Sequence, residues 1–212
     1  ARVARVVAAT GDPFPAVDGK GFARLRDAGI AVMVGPGAVG AERALAGFLM
    51  RQRHGRPHVT LKLALSLDGA AAMVDGRSRW ITGLAARAHA HLERARADAI
   101  LVGRGTFEID APQLDVRLPG LADRSPQRVL LSRGADAPAG WSVLRTLHDL
   151  ATLPADWLLV EGGMATAAAF LAAGLVDRLL IYRAPIVIGG GRTLSDIGLG
   201  DLAAAHGRWQ HH

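Results

Sequence analysis

The residues best suited to chemistry stand in short stretches beside glycine. Glu161-Gly162-Gly163 follows an apolar run and opens an alanine-rich one. Two glycines between a strand and a helix let backbone approach a phosphate, and the helix behind them offers free N–H groups and the positive end of its dipole. The same pair also serves as a tight turn needing positive φ. It matches neither GxGxxG nor GxxxxGK[ST], so the common dinucleotide and ATP cradles are absent. Glu161 would stand at the carboxyl end of a buried strand, where ligands gather in α/β sheets. Lys62 lies within Lys62-Leu63-Ala64-Leu65-Ser66-Leu67-Asp68-Gly69. A lysine inside an apolar strand is costly unless it has a partner or a task. Taken alone, Lys62 reads as lying on an exposed edge, and Asp68-Gly69 as a turn.

Two further stretches carry polar groups next to glycine. In Gly76-Arg77-Ser78-Arg79-Trp80-Ile81-Thr82-Gly83, Ser78, Arg79 and the start of the next helix suit an anion, and Trp80 suits a flat ring. The commoner case for such a stretch is a core tryptophan between solvated arginines. Val102-Gly103-Arg104-Gly105-Thr106, followed by Asp110, Pro112, Leu114 and Arg117, fits a ligand loop and an ordinary loop equally. Gly189-Gly190-Gly191 with Arg192 is similar and weaker. No metal site is expected: the 8 histidines include no HExxH or paired C2H2 spacing, His89 and His91 miss ligand spacing, and His211-His212 is a tail. No GxSxG nucleophile elbow is present.

The elements that must position these groups alternate. A strand over 3–9, a helix over 21–28, a strand over 30–34 and a helix over 40–53 make β-α-β-α. The basic breaker His54-Gly55-Arg56-Pro57 marks a boundary. A strand over 58–67 follows, with Lys62, Ala64 and Ser66 on the face opposite the leucines. Then come a helix over 84–96 capped near Thr82 or Gly83, a buried strand over 99–103, a polar loop over 105–124 and a strand over 128–132. A strand over 157–160, a helix to Ala173 and a strand over 179–182 complete the pattern. Strands alternating with helices predict a mostly parallel central sheet flanked by helices.

Composition bounds the function. The chain has 212 residues, 50% of them hydrophobic and 21% charged, which excludes disorder and fibrous repeats. No apolar run reaches the roughly 18 residues of a membrane helix, no signal peptide is visible, and the chain has no cysteine, so a cytoplasmic home is expected. Only Lys20 and Lys62 among the 25 basic residues are lysine. The arginines are spread rather than clustered and aromatics are 5%, which speaks against nucleic acid and for a solvated surface or a pocket for a phosphorylated small molecule. The chain opens on Ala1 and ends on Trp209-Gln210-His211-His212, as a part of a longer protein would.

Taken together, Arg56-Pro57 with LKLALSLDG, then SRWITG, ARADAILVGRGTFEIDAPQL with Val116-Arg117, VEGG, AGLVD and API-IGGG resemble the reductase domain of RibD-type riboflavin biosynthesis proteins. The resemblance covers 55–212 and implies a dihydrofolate-reductase-like α/β fold. It implies NADPH-dependent reduction of the ribosyl group of 5-amino-6-(5-phosphoribosylamino)uracil by hydride transfer to ribose C1, in a cytoplasmic homodimer without nucleic-acid or membrane partners. Residues 1–54, with DPFP, GKG and LRDAGI, look like the end of the preceding deaminase domain, a β-α-β-α remnant of a cytidine-deaminase-like hydrolase. The zinc motif of that domain, HxE…PCxxC, is absent from the chain. The family's closing strand is not recognisable after Trp209.

By position, the resemblance implies cofactor contacts at Ala64, Trp80, Thr106, Asp110, Ser132, Gly163 and Met164. Substrate contacts fall on Ser78, Arg94, Leu114, Arg117 and Glu161. Lys62 and Glu161 are the catalytic candidates, with Arg94 and Arg117 suited to the substrate phosphate. Ala111, where a second Asp is common, and Arg104, where a small residue is usual, depart from the pattern. Alternatives are a related reductase of another pteridine or pyrimidine, and a non-catalytic nucleic-acid-binding fragment.

Overall fold

The computed structural model describes residues 3–206 and Trp209. Ala1, Gln210 and the His211-His212 tail lie outside the described residues. The chain divides into two compact units, Ala1–His58 with Ala151–Asp156, and Val59–Leu150 with Trp157–His212.

In the first unit, β1 (Arg5–Ala8) pairs in parallel with β2 (Ala31–Val34) across α1 (Lys20–Asp27). The single helix expected over 40–53 is instead two, α2 (Ala38–Ala44) and α3 (Ala46–His54). Leu45 leaves helical geometry between them at φ −101°, ψ 8°, beside the poor helix former Gly47. Arg51 fastens α3 to the 151–156 segment, donating to the carbonyls of Leu153 at 2.7 Å and Ala155.

The second unit is built on a six-stranded sheet. Its strands are β3 (His58–Leu65), β4 (Ala99–Gly103), β5 (Gln127–Leu131), β6 (Trp141–Leu144), β7 (Trp157–Val160) and β8 (Arg178–Arg183), in the order β6-β5-β4-β7-β3-β8. The pairs β4–β5, β4–β7, β5–β6 and β3–β8 are parallel. Helices α4 (Leu84–Arg96), α5 (Arg104–Asp110) and α6 (Met164–Ala172) flank the sheet. The mostly parallel α/β architecture is therefore the expected one. Val59, Leu61, Ile100, Val102, Val129, Val160 and Phe170 are fully buried, and central strands reading as continuous apolar runs are the mark of a sheet covered on both faces.

The connections create the site. After β4 the chain moves through α5 to β5 on one side, and after β7 it moves through α6 to β8 on the other. Adjacent parallel strands whose continuations part in this way open a crevice beyond their carboxyl ends. Gly103 and Glu161 occupy those two ends.

Two local expectations change. The polar loop over 105–124 begins with α5, a helix short enough for Gly105 and nearby Pro112 to hide its pattern. It stops where Ala111 adopts φ 39° before proline, a position that disfavours right-handed helix. β6 has only four residues and lies at the sheet edge; it is anchored by Trp141, whose ring meets Phe107 of α5 edge-on at 5.2 Å.

Candidate active site

A cleft of about 1350 Å³ opens in the second unit at this switch point. Its floor carries an ion cluster. Glu161, immediately after β7, accepts from Arg94 Nε at 2.8 Å and Nη2 at 3.0 Å, a two-pronged arrangement that fixes the carboxylate plane. Lys62 Nζ stands 3.7 Å from Oε2. Both acid and arginine are withdrawn from solvent, with side chains 8% and 14% exposed. Burial pushes the Glu161 carboxyl up, but the Arg94 hydrogen bond and the Lys62 charge outweigh it and hold the group below its ordinary range. Burial would lower Arg94, and Glu161 reverses that, so the guanidinium stays charged.

The edge position read for Lys62 is corrected by the sheet order. β3 lies inside the sheet between β7 and β8. The period of two turns Leu61 and Leu63 into the core and leaves Lys62 and Ala64 on the cleft wall. A mid-strand lysine is tolerated there because Glu161 faces it.

Two residues on from Glu161 the lining is backbone. α6 begins at Gly163 with φ −68° and ψ 176°, and no side chain caps it. Gly163 N–H donates to Thr106 Oγ1 at 3.0 Å, joining the start of α6 to α5. Neither Gly162 nor Gly163 has positive φ, so the turn reading of this pair is replaced by close approach. A Cβ on Gly162 would fall 2.6 Å from Thr166 Cβ and Cγ2, whereas one on Gly163 would meet only Thr106 Oγ1 at 3.4 Å. Gly162→Ala is therefore expected to cost about 1–3 kcal/mol and to lower Tm by several degrees, with Gly163→Ala much milder. Thermal unfolding of the two variants side by side checks the order, and equal shifts would contradict it.

The mouth is lined by two loops and α4. Trp80 is not core: it is 66% exposed, with the Arg87 guanidinium 4.4 Å from its ring centroid. Ser78 is half-buried in the same loop, and Arg79 reaches the Asp110 carbonyl at 3.4 Å. Asp68 does more than close a turn. Its carboxylate accepts from Ser66 Oγ at 2.6 Å, Gly189 N–H at 2.9 Å and Ile188 N–H at 3.1 Å. Those bonds, Ser66 first, lower it to about 2. The loop it holds brings Arg192 to an antiparallel bridge with Ala72, with its guanidinium close to Gly76.

Of the residues expected at the site, the cleft gathers Lys62, Ala64, Ser78, Trp80, Arg94 and Thr106, together with Asp110, Leu114, Arg117, Glu161, Gly163 and Met164. Leu114 reaches it from the core at φ 56°. Ser132 is not among the lining residues; it is buried, and its hydroxyl accepts the Ala135 N–H at 2.9 Å. Residues missed from sequence include Arg87, His91, Thr166, Thr193 and Ser195. Arg87, His91 and Arg94 recur at helical spacing on α4, a stripe that was present in the sequence.

Among the described residues no helix is long and apolar enough to cross a membrane. The family model of the RibD C-terminal domain matches residues 57–204. The riboflavin biosynthesis protein RibD of Mycobacterium tuberculosis is 42% identical over 229 residues, covering 99% of this chain and 66% of that protein. That of Escherichia coli is 35% identical, covering 89% and 65%. The chain thus spans just under two thirds of these relatives' length. Among solved structures, Acinetobacter baumannii RibD aligns at TM-score 0.83 and 33% identity over 95% of this chain and 67% of that one. A Thermotoga maritima diaminohydroxyphosphoribosylaminopyrimidine deaminase/5-amino-6-(5-phosphoribosylamino)uracil reductase aligns at 0.79 and 29%, over 93% and 65%. The match runs through β3, the Glu161 turn and the loop after β8, the segments that build the cleft, and so the chain belongs to the RibD C-terminal domain family.

Proposed function

We propose that this chain reduces 5-amino-6-(5-phosphoribosylamino)uracil to its ribitylamino product with NADPH, within a protein whose preceding part is a zinc deaminase. Residues 1–54 are read as the end of that deaminase and 55–212 as the reductase, acting as a cytoplasmic homodimer. The observation that carries the reading is the cleft at the switch point, lined by Lys62, an Arg94-clamped Glu161 and the uncapped helix start that follows it.

The dinucleotide fits the residues present. The first amides of α6 carry no side-chain cap, and Gly162 lets the chain turn into that helix start closely against Thr166. Thr106, Asp110, Gly163 and Met164 would hold the dinucleotide, with Ala64 and Trp80 beside the ring. Ser132 stays a cofactor position by resemblance only. A cleft above the usual ~300–1,000 Å³ of single-ligand pockets has room for two ligands. When bound, NADPH supplies the hydride that reduces ribose C1.

The chain's own groups do the rest. Ser78, Arg94 and Arg117 bind the sugar phosphate, and Leu114 shapes the wall. Opening the ribose ring of the N-glycosylamine gives an imine at C1 and needs a proton at the ring oxygen. Lys62 holds that proton, and Glu161 keeps the lysine in place while accepting from ribose hydroxyls. Burial of the cluster excludes water, and alignment supplies much of the rate.

The test is NADPH oxidation at 340 nm by the full chain with the aminopyrimidine ribotide, alongside quenching of tryptophan emission by NADPH. Turnover with that ribotide supports the reading. NADPH binding with turnover only on an unphosphorylated pteridine would replace the substrate, and no NADPH binding would overturn the whole assignment.

A further inference from the structure

His91 lines the cleft one turn before Arg94 on α4. Its partner is backbone: the Arg117 N–H donates to His91 Nδ1 at 3.2 Å. The stretch holding Arg117 is fastened at two other points. Arg94 Nη1 donates to the Asp115 carbonyl at 3.0 Å, and Val116 N–H donates to Ser125 Oγ at 3.0 Å. The Arg117 side chain pairs with Asp115 at 3.3 Å and is 61% exposed, so backbone fastening rather than burial fixes where it stands. An imidazole nitrogen accepts an N–H only while it carries no proton itself.

We propose that His91, as the neutral imidazole, is a positioning residue that sets Arg117 for the phosphate of a sugar-phosphate ligand, and that protonating His91 releases Arg117. The proposal rests on the reductase reading for the rest of the ligand, and on the arginines alone for the phosphate. The groups facing the ring are Arg94 on its own helix, Arg117 and Asp115 from the loop, and Glu161 from the end of β7. Burial first, then the charges of Arg94 and Arg117, hold the imidazole below its ordinary value against a hydrogen bond from the ring to the Asp115 backbone and the charge of Glu161. The neutral form therefore prevails at neutral pH, and the fastening is lost as pH falls through the lowered value.

The experiment compares wild type, His91→Ala and His91→Asn between pH 5 and 8, measuring ribose 5-phosphate binding by calorimetry together with kcat and KM. His91→Ala is expected to weaken ribose 5-phosphate and raise the ribotide KM about 3–10-fold, the loss of one backbone hydrogen bond, with kcat within about twofold. His91→Asn, whose amide oxygen can take the same N–H, restores both. On acidification the wild type loses affinity more steeply than His91→Asn, which retains only the phosphate's own titration. An Ala variant equal to wild type, an Asn variant no better than Ala, or parallel pH curves would overturn the proposal. If the ribotide is not turned over but ribose 5-phosphate binding follows this pattern, the reductase reading fails and the His91 assignment stands.

Discussion

Replacing Glu161 with alanine is expected to cost about 3–5 kcal/mol of stability and to abolish measurable turnover. The Arg94 guanidinium is 14% exposed and gives two of its groups to this carboxylate. Without Glu161 a buried cation keeps only its bond to the Asp115 carbonyl, and breaking a buried pair from one side is far costlier than the pair is worth. Glu161→Gln should fall between, because the amide oxygen still accepts one N–H while its NH2 opposes the other. For a chain of this length the alanine variant should lower Tm by on the order of 10 °C. The pH dependence has a definite sign. The folded carboxyl sits below its ordinary value of 4.5, so its stabilisation is complete above about pH 5 and is lost as pH falls through the lowered folded value. Thermal unfolding from pH 7 to pH 3 should therefore show the wild type and Glu161→Gln converging on acidification. Parallel curves would mean that the carboxylate is not a structural partner of Arg94.

That pair shows what a sequence does and does not disclose. Residues 94 and 161 lie on separate elements, and nothing local in either stretch announces the other. What was legible was periodic or covalent: the alternation that puts Lys62 opposite the leucines, the glycines of the Glu161 turn, and the helix over 84–96 that α4 reproduces. What was not legible depends on the order of strands. Lys62 reads as an edge residue until β8 is known to pair outside β3. Trp80 reads as core until its loop is placed at a cleft mouth. Gly162 reads as a turn glycine until Thr166 is seen to occupy the space its Cβ would need. His91 misses metal-ligand spacing in the sequence, and its partner in the structure is a backbone amide 26 residues on, which no side-chain motif encodes. The family resemblance names Lys62, Trp80 and Ser132 alike, and of these Ser132 is the one whose hydroxyl accepts a backbone N–H, that of Ala135.

Lys62→Met should separate rate from fold. The lysine stands 3.7 Å from Glu161 Oε2, beyond hydrogen-bond reach, while Arg94 holds both carboxylate oxygens at 3.0 Å or less. Removing the ammonium therefore leaves the acid paired, and methionine fills most of the lysine stem's volume. Stability should change by less than about 1.5 kcal/mol, as for volume-conserving replacements. The chemistry should not be spared. If Lys62 supplies the proton for ring opening, its loss lowers kcat by about 10²–10⁴-fold, with NADPH binding within about twofold of wild type. The contrast with Glu161→Ala is what makes the test specific: one variant loses fold and rate together, the other loses rate alone. Single-turnover NADPH oxidation at saturating ribotide, with Tm measured on the same preparation, reads both. A Lys62→Met enzyme that turns over within about threefold of wild type would move the proton to another group, and Ser78, which lines the cleft, would then be the next residue to replace.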